Sequence, residues 1–215
     1  MRAPQSITAI SGWALPPQWF EEQIQQVFPD IPVKGLYPLH PEDSQEAKTL
    51  LQNLSSDLII GYSLGSLWLA KYQNFLSAEC KKVLLAPILA FTKEENKGGI
   101  TNKTQLKYLT RVLKQNSQEP SALIEFFRDC QIVIPEDHVK NIPCREALIR
   151  GLDFLACESI DPESLAGFQS LIGECDHLLD SIELKKLIPN LRVIKNAGHS
   201  PGPLLQVLQM QLISS

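Results

Sequence analysis

Residues 58–70 read LIIGYSLGSLWLA. Apolar residues fill the first half, as expected of a strand buried on both faces. The second half, from Leu64, opens a helix, and between the two Ser63 stands midway between Gly61 and Gly65. A serine in an apolar run is ordinarily a packed, satisfied hydroxyl, and a glycine there costs backbone entropy. The combination makes sense if Ser63 occupies a tight, strained turn that lifts its hydroxyl above the sheet edge. A glycine two residues to either side then lets strand and helix backbones pass without a Cβ clash. This G-x-S-x-G pattern between strand and helix is the nucleophile elbow, and it nominates Ser63 as a nucleophile.

Outward from that turn, short apolar runs alternate with longer helical patterns, which signals parallel strands joined by crossover helices. Strands are expected over 6–11, 33–37, 57–62, 82–86, 168–172 and 190–194. Helices are expected over 17–28, 43–53, 64–76 and 202–213. In the first helix Trp19, Phe20, Ile24 and Val27 share one face. The alternation breaks after the fourth strand, where residues 88–165 contain helical patterns instead (101–115, 120–130 and 143–156), with Leu106, Leu109, Val112 and Leu113 marking one apolar face. So long and patterned a stretch is read as a helical insertion over one end of the sheet, with the core at 1–87 and 166–215.

With 215 residues the chain suits one domain built on one core. A net charge of −4 argues against nucleic acid as a main partner, since phosphate binding needs a basic footprint. The opening MRAPQSITAISGW lacks the apolar core of a signal peptide, and no apolar run approaches the ~20 residues that span a bilayer. Cys80, Cys130, Cys144, Cys157 and Cys175 are scattered and unpaired in spacing, so neither a disulfide framework nor a metal site is expected, and a reducing cytoplasm fits best. Charge is uneven: residues 91–128 carry +3, leaving −7 for the rest. Lys103, Lys107, Arg111 and Lys114 make much of that basic stretch.

A serine hydroxyl is a poor nucleophile near neutral pH and needs a base, itself held by an acid. In this architecture they follow the serine in the order acid, histidine, at the ends of later strands. His199, in NAGHSPG after the last strand, is the expected base; His40, His138 and His177 are placed less well. Asp176, just beyond the fifth strand in FQSLIGECDHLLD, is the expected acid. Asp180 is read as the start of the next helix and Asp153 lies in the insertion; both are alternatives. The backbone N–H groups of Leu64 and of Trp13, in the loop after the first strand, are expected to face the developing oxyanion. The Trp13 side chain is expected to form an apolar wall for an acyl group.

With SGWALPPQWF, GYSLGS, GECDHLLD and NAGHSPG in this order, the chain resembles the α/β-hydrolase superfamily over nearly its whole length. A narrower likeness is to the pimeloyl-acyl-carrier-protein methyl ester esterases of biotin synthesis. Those enzymes carry a glycine-tryptophan oxyanion loop, matched by Gly12-Trp13, and a G-W/Y-S-L-G elbow, matched by Gly61 to Gly65. The stretch LLAPILAFTKEENKGGITNKTQLKYLTRVLKQN is similar to the start of their helical lid, and GLDFLACESI to its return. The sequence departs from the pattern in three places. Ser11 replaces the histidine before the oxyanion glycine, Ser66 replaces the common second glycine after the elbow, and the usual hairpin before the first strand is not expected.

Together these features point to a lidded α/β-hydrolase that cleaves a carboxylic ester through an acyl-serine, without metal or organic cofactor. The resemblance implies the methyl ester of pimeloyl-acyl-carrier protein as substrate. The basic residues Lys103, Lys107, Arg111 and Lys114 would receive the acidic carrier, and the protein is expected to act as a monomer. A thioesterase or a menaquinone-pathway type of lyase on the same fold is the alternative, as is a non-catalytic binding protein.

Overall fold

The computed structural model describes residues 4–115 and 119–213. Six strands, β1 (Ile7–Ile10), β2 (Val33–Leu36), β3 (Leu58–Tyr62), β4 (Lys81–Leu85), β5 (Gln169–Gly173) and β6 (Arg192–Ile194), form one sheet in the order β2-β1-β3-β4-β5-β6. Every neighbouring pair is parallel. The helices are α1 (Pro17–Val27), α2 (Ser44–Leu51), α3 (Leu64–Lys71), α4 (Lys103–Lys114), α5 (Glu119–Asp129), α6 (Glu136–Val139), α7 (Arg145–Cys157), α8 (Ser181–Leu187) and α9 (Pro201–Ile213).

Parallel strands need a crossover between them, and helices that cover both faces leave the central strands no contact with water. All of β3 is buried, which explains its unbroken apolar run, whereas the edge strands β2 and β6 are short and partly exposed. Helix α1 starts at a Pro-Pro pair, where a missing N–H costs nothing, and buries Trp19, Phe20 and Ile24. The helix expected over 64–76 stops at Lys71 and gives way to a single 3₁₀ turn at Gln73–Phe75. Asp180 caps α8, accepting from the Ile182 and Glu183 N–H groups at 3.0 and 2.9 Å.

Among the described residues, the stretch between β4 and β5 holds helices α4 to α7 and only isolated bridges in place of strands. Its outgoing and returning arms meet: Ala90 bridges to Ser159, and the Ile160 N–H donates to the Leu89 carbonyl at 2.8 Å. Helix α4 begins with a capping box between Asn102 and Gln105 and buries Leu106, Val112 and Leu113, with Leu109 half-buried beside them. Helix α6, a single turn, has no counterpart in the sequence reading because four residues carry no resolvable periodicity.

Candidate active site

The turn between β3 and α3 places Ser63 at φ 53° and ψ −116°, a backbone conformation that costs an L-residue free energy. Two contacts explain the flanking glycines. A Cβ on Gly61 would lie 2.7 Å from the Gly65 carbonyl oxygen, and one on Gly65 would lie 2.3 Å from the Ile10 carbonyl oxygen. Strand, helix and the end of β1 therefore pack backbone to backbone around the serine. The Ser63 N–H donates to the Leu85 carbonyl at 3.0 Å and fixes the turn to β4.

Ser66, three residues beyond Ser63, is fully buried. Its hydroxyl lies 2.6 Å from the Ser63 carbonyl and 3.3 Å from that of Ala86, and it accepts from the Ile88 N–H at 3.1 Å. One small side chain thus ties the elbow to the chain leaving β4. That role is local hydrogen bonding, which an isolated serine in the sequence does not disclose.

Asp176 follows β5 and His199 follows β6, so the right-handed parallel topology carries both to the strand ends where Ser63 sits. The His199 Nε2 is 3.0 Å from the Ser63 Oγ, and its Nδ1 is 2.7 Å from the Asp176 Oδ2. The other carboxylate oxygen of Asp176 accepts from the Leu178 and Leu179 N–H groups at 2.9 and 3.1 Å, which fixes its rotation. The three residues are 6%, 9% and 2% exposed for Ser63, Asp176 and His199, so the relay is shielded from water.

Tyr62, immediately before the serine, donates its phenolic O–H to the His199 carbonyl at 2.8 Å. Its ring centroid lies 5.4 Å from the imidazole. Burial holds the Tyr62 phenol well above its ordinary range, with the nearby Cys130 and Asp176 adding to the effect, so it remains a donor. Burial likewise pushes the Cys130 thiol up to about 12, with Asp176 contributing. Sequence reasoning missed Tyr62 because its acceptor lies 137 residues away.

Leu64 directly follows the serine, Trp13 lies in the loop after β1, and a Cβ on Gly151 would meet both side chains, at 2.8 Å from Trp13 and 3.3 Å from Leu64. Leu64 opens α3, and its N–H has no intrahelical acceptor because the residue four back belongs to β3. Trp13 occupies a turn closed by the Leu15 N–H on the Gly12 carbonyl at 3.2 Å, with Ala14 at φ 62°. A Cβ on Gly12 would lie 3.1 Å from the Tyr62 ring, so the loop passes close against that side chain. The Trp13 indole is anchored in the helical segment: Nε1–H donates to the Leu148 carbonyl of α7 at 2.8 Å. Its ring meets Phe126 of α5 edge to face at 4.8 Å, and Gly151 leaves room for it.

The alternatives stand elsewhere. Asp180 is the α8 cap, Asp153 lies exposed on α7, and His40 and His177 are exposed. His138 is buried but pairs with Glu22 at 2.9 Å, joining α6 to α1. Of the basic residues of α4, Lys107, Arg111 and Lys114 are exposed, and Arg111 lies over the Tyr108 ring at 5.5 Å. Lys103 is instead drawn back to Glu95 at 2.7 Å. Among the described residues no cluster of histidine, cysteine and acids could hold a metal ion, and no helix is long and apolar enough to cross a membrane.

The sheet order, the strained serine turn and the helical segment between β4 and β5 define the α/β-hydrolase fold. Solved structures share it over nearly the whole chain. An esterase from Exiguobacterium antarcticum superposes with a TM-score of 0.71 at 17% identity, covering 100% of this chain and 92% of its own. A thermophilic esterase from Thermogutta terrifontis gives 0.64 at 14% identity, covering 97% and 89%. An esterase from Rhodococcus sp. ECU1013 gives 0.62 at 16%, covering 98% and 90%. No protein-family model and no curated protein matches the sequence.

Proposed function

We propose that this protein is a serine carboxylesterase working through an acyl-enzyme. The observation that carries the proposal is the buried relay of Ser63, His199 and Asp176, at 3.0 and 2.7 Å. The esterases among the structures of the same fold support it.

His199 Nε2 takes the proton of Ser63 Oγ as that oxygen attacks the ester carbonyl. Asp176 accepts the Nδ1–H, so the lone pair faces the serine and the imidazolium that forms is stabilised. The Trp13 and Leu64 N–H groups receive the developing oxyanion. His199 then returns its proton to the departing alkoxide, which leaves as the alcohol. A water, deprotonated by the same nitrogen, frees the acid and restores Ser63.

As substrate we propose the methyl ester of pimeloyl-acyl-carrier protein, on the likeness of the Gly12-Trp13 loop and the Gly61–Gly65 elbow to esterases of biotin synthesis. The exposed Lys107, Arg111 and Lys114 would meet the acidic carrier, with the helical segment serving as lid. The test is labelling by a fluorophosphonate, followed by assay of the carrier-bound methyl ester. Label on Ser63 with release of methanol supports both parts. Label on Ser63 without methanol release retains the esterase and rejects the substrate, and absence of label on Ser63 rejects the nucleophile.

A further inference from the structure

Helices α5 and α6 and the start of α7 enclose a groove of about 680 Å³. Its volume falls in the range of small-molecule sites, ~300–1,000 Å³. Leu123, Phe127 and Ile132 line it as buried residues. Ile124, Val133 and Val139, which also line it, are 64%, 83% and 52% exposed. Large aliphatic side chains gathered at that exposure mark a surface built to be covered.

The groove is distinct from the serine site. Helix α5 separates the two: Phe126 packs against Trp13, whereas its neighbour Phe127 lines the groove. Farther along, Cys130 is buried and Gln131 lies against Gly198, next to the catalytic histidine.

Charge decides the kind of occupant. Arg128 and Arg145 both border this apolar groove. Arg128 also borders a second, polar cleft of about 600 Å³, together with Gln105, Asp129, Gln131 and His177. It therefore stands where apolar wall gives way to polar wall. Its side chain is 72% exposed, and its Nε lies 3.9 Å from the Asp129 carboxylate, an exposed ion pair longer than a hydrogen bond. A guanidinium so placed is suited to a carboxylate at the end of an aliphatic chain.

We propose that the groove binds a free fatty carboxylate, its chain among Leu123, Phe127 and Ile132 and its head at Arg128. This does not rest on the esterase reading, because none of these residues belongs to the relay.

The test uses the full chain with Ser63 blocked by a fluorophosphonate, or replaced by Ser63→Ala should labelling fail. Isothermal titration at low salt compares decanoate with the uncharged decyl maltoside. One decanoate per chain is expected. Arg128→Gln should weaken decanoate about tenfold and leave decyl maltoside within about twofold, as expected for loss of a charge-assisted contact. Ile124→Asp with Val139→Asp should abolish binding of both. These positions are exposed, and Val133→Asp serves as the second variant if that pair fails to fold.

Three results overturn the proposal: no decanoate binding, binding indifferent to the apolar-wall variants, or equal effects of Arg128→Gln on the two ligands. A concentration-dependent dimer that Ile124→Asp dissociates, with no decanoate bound, would assign the groove to a second copy.

Discussion

Tyr62→Phe removes one oxygen atom and nothing else. The ring keeps its place against Phe20 and the imidazole, each at 5.4 Å between centroids, so no cavity of consequence opens. What is lost is the 2.8 Å hydrogen bond to the His199 carbonyl, in a buried setting. Leaving a buried acceptor unsatisfied costs ~1–3 kcal/mol. At about 3 °C per kcal/mol for a chain of this length, the melting temperature should fall by roughly 3–9 °C. The same bond holds the loop that presents the imidazole to Ser63, so kcat on a p-nitrophenyl ester should drop by about tenfold, with KM nearly unchanged. Calorimetry and steady-state kinetics on the one variant read both effects. A lower melting temperature with unaltered kcat would reduce Tyr62 to a structural support. An unaltered melting temperature would refute the reasoning altogether.

Asp176→Asn should lower kcat by about 10³–10⁴-fold, and Asp180→Asn, which keeps a capping oxygen at the head of α8, should leave kcat nearly unchanged, a comparison made on the same ester. Lys107→Glu with Arg111→Glu should reduce kcat/KM for a carrier-bound ester, more at low salt, and spare a small p-nitrophenyl ester. Stability should decline between about pH 9 and 12. The unfolded chain releases the Cys130 proton near its ordinary pKa, while the folded chain keeps it up to about 12. Cys130→Ala should flatten that decline by up to about 1.4 kcal/mol per pH unit, measured by urea unfolding at several pH values. Gly65→Ala, whose Cβ would meet the Ile10 carbonyl oxygen at 2.3 Å, should lose at least about 2 kcal/mol in the same assay. Gly202→Ala, with nothing within 4 Å, should be neutral or stabilising.

Legibility in the sequence followed the range of the interaction. The Ser63 turn is written in adjacent residues, because the pattern that marks it lies within five positions and the constraint on Gly61 comes from Gly65 and Ser66, although the one on Gly65 comes from Ile10 at the end of β1. Asp176 and His199 could be nominated because parallel topology returns each strand end to the same edge, so chain order stands in for distance. Asp180 was separable from Asp176 for the same local reason, its position at the head of a helix. Contacts that join distant segments left no such trace. Nothing near Trp13 in the chain announces Leu148 or Phe126, and nothing near Tyr62 announces the His199 carbonyl. Lys103 reads as one of a basic series, yet Glu95 neutralises it. The groove under α5 was invisible because its apolar residues look like helix-packing faces until their exposure is known.

The Trp13 anchor bears on how such proteins can be remodelled. Helical segments between β4 and β5 are attractive parts to exchange among scaffolds of this fold, since both arms leave from one neck. Here the exchange has a hidden condition. A donor segment must supply a carbonyl where Leu148 supplies one, and a gap where Gly151 lacks a Cβ. Without them the indole N–H is buried unpaired, and the turn carrying the Trp13 amide shifts with it. A graft that ignores this would fold as a hydrolase scaffold and fail as a catalyst, with its serine, histidine and aspartate all intact.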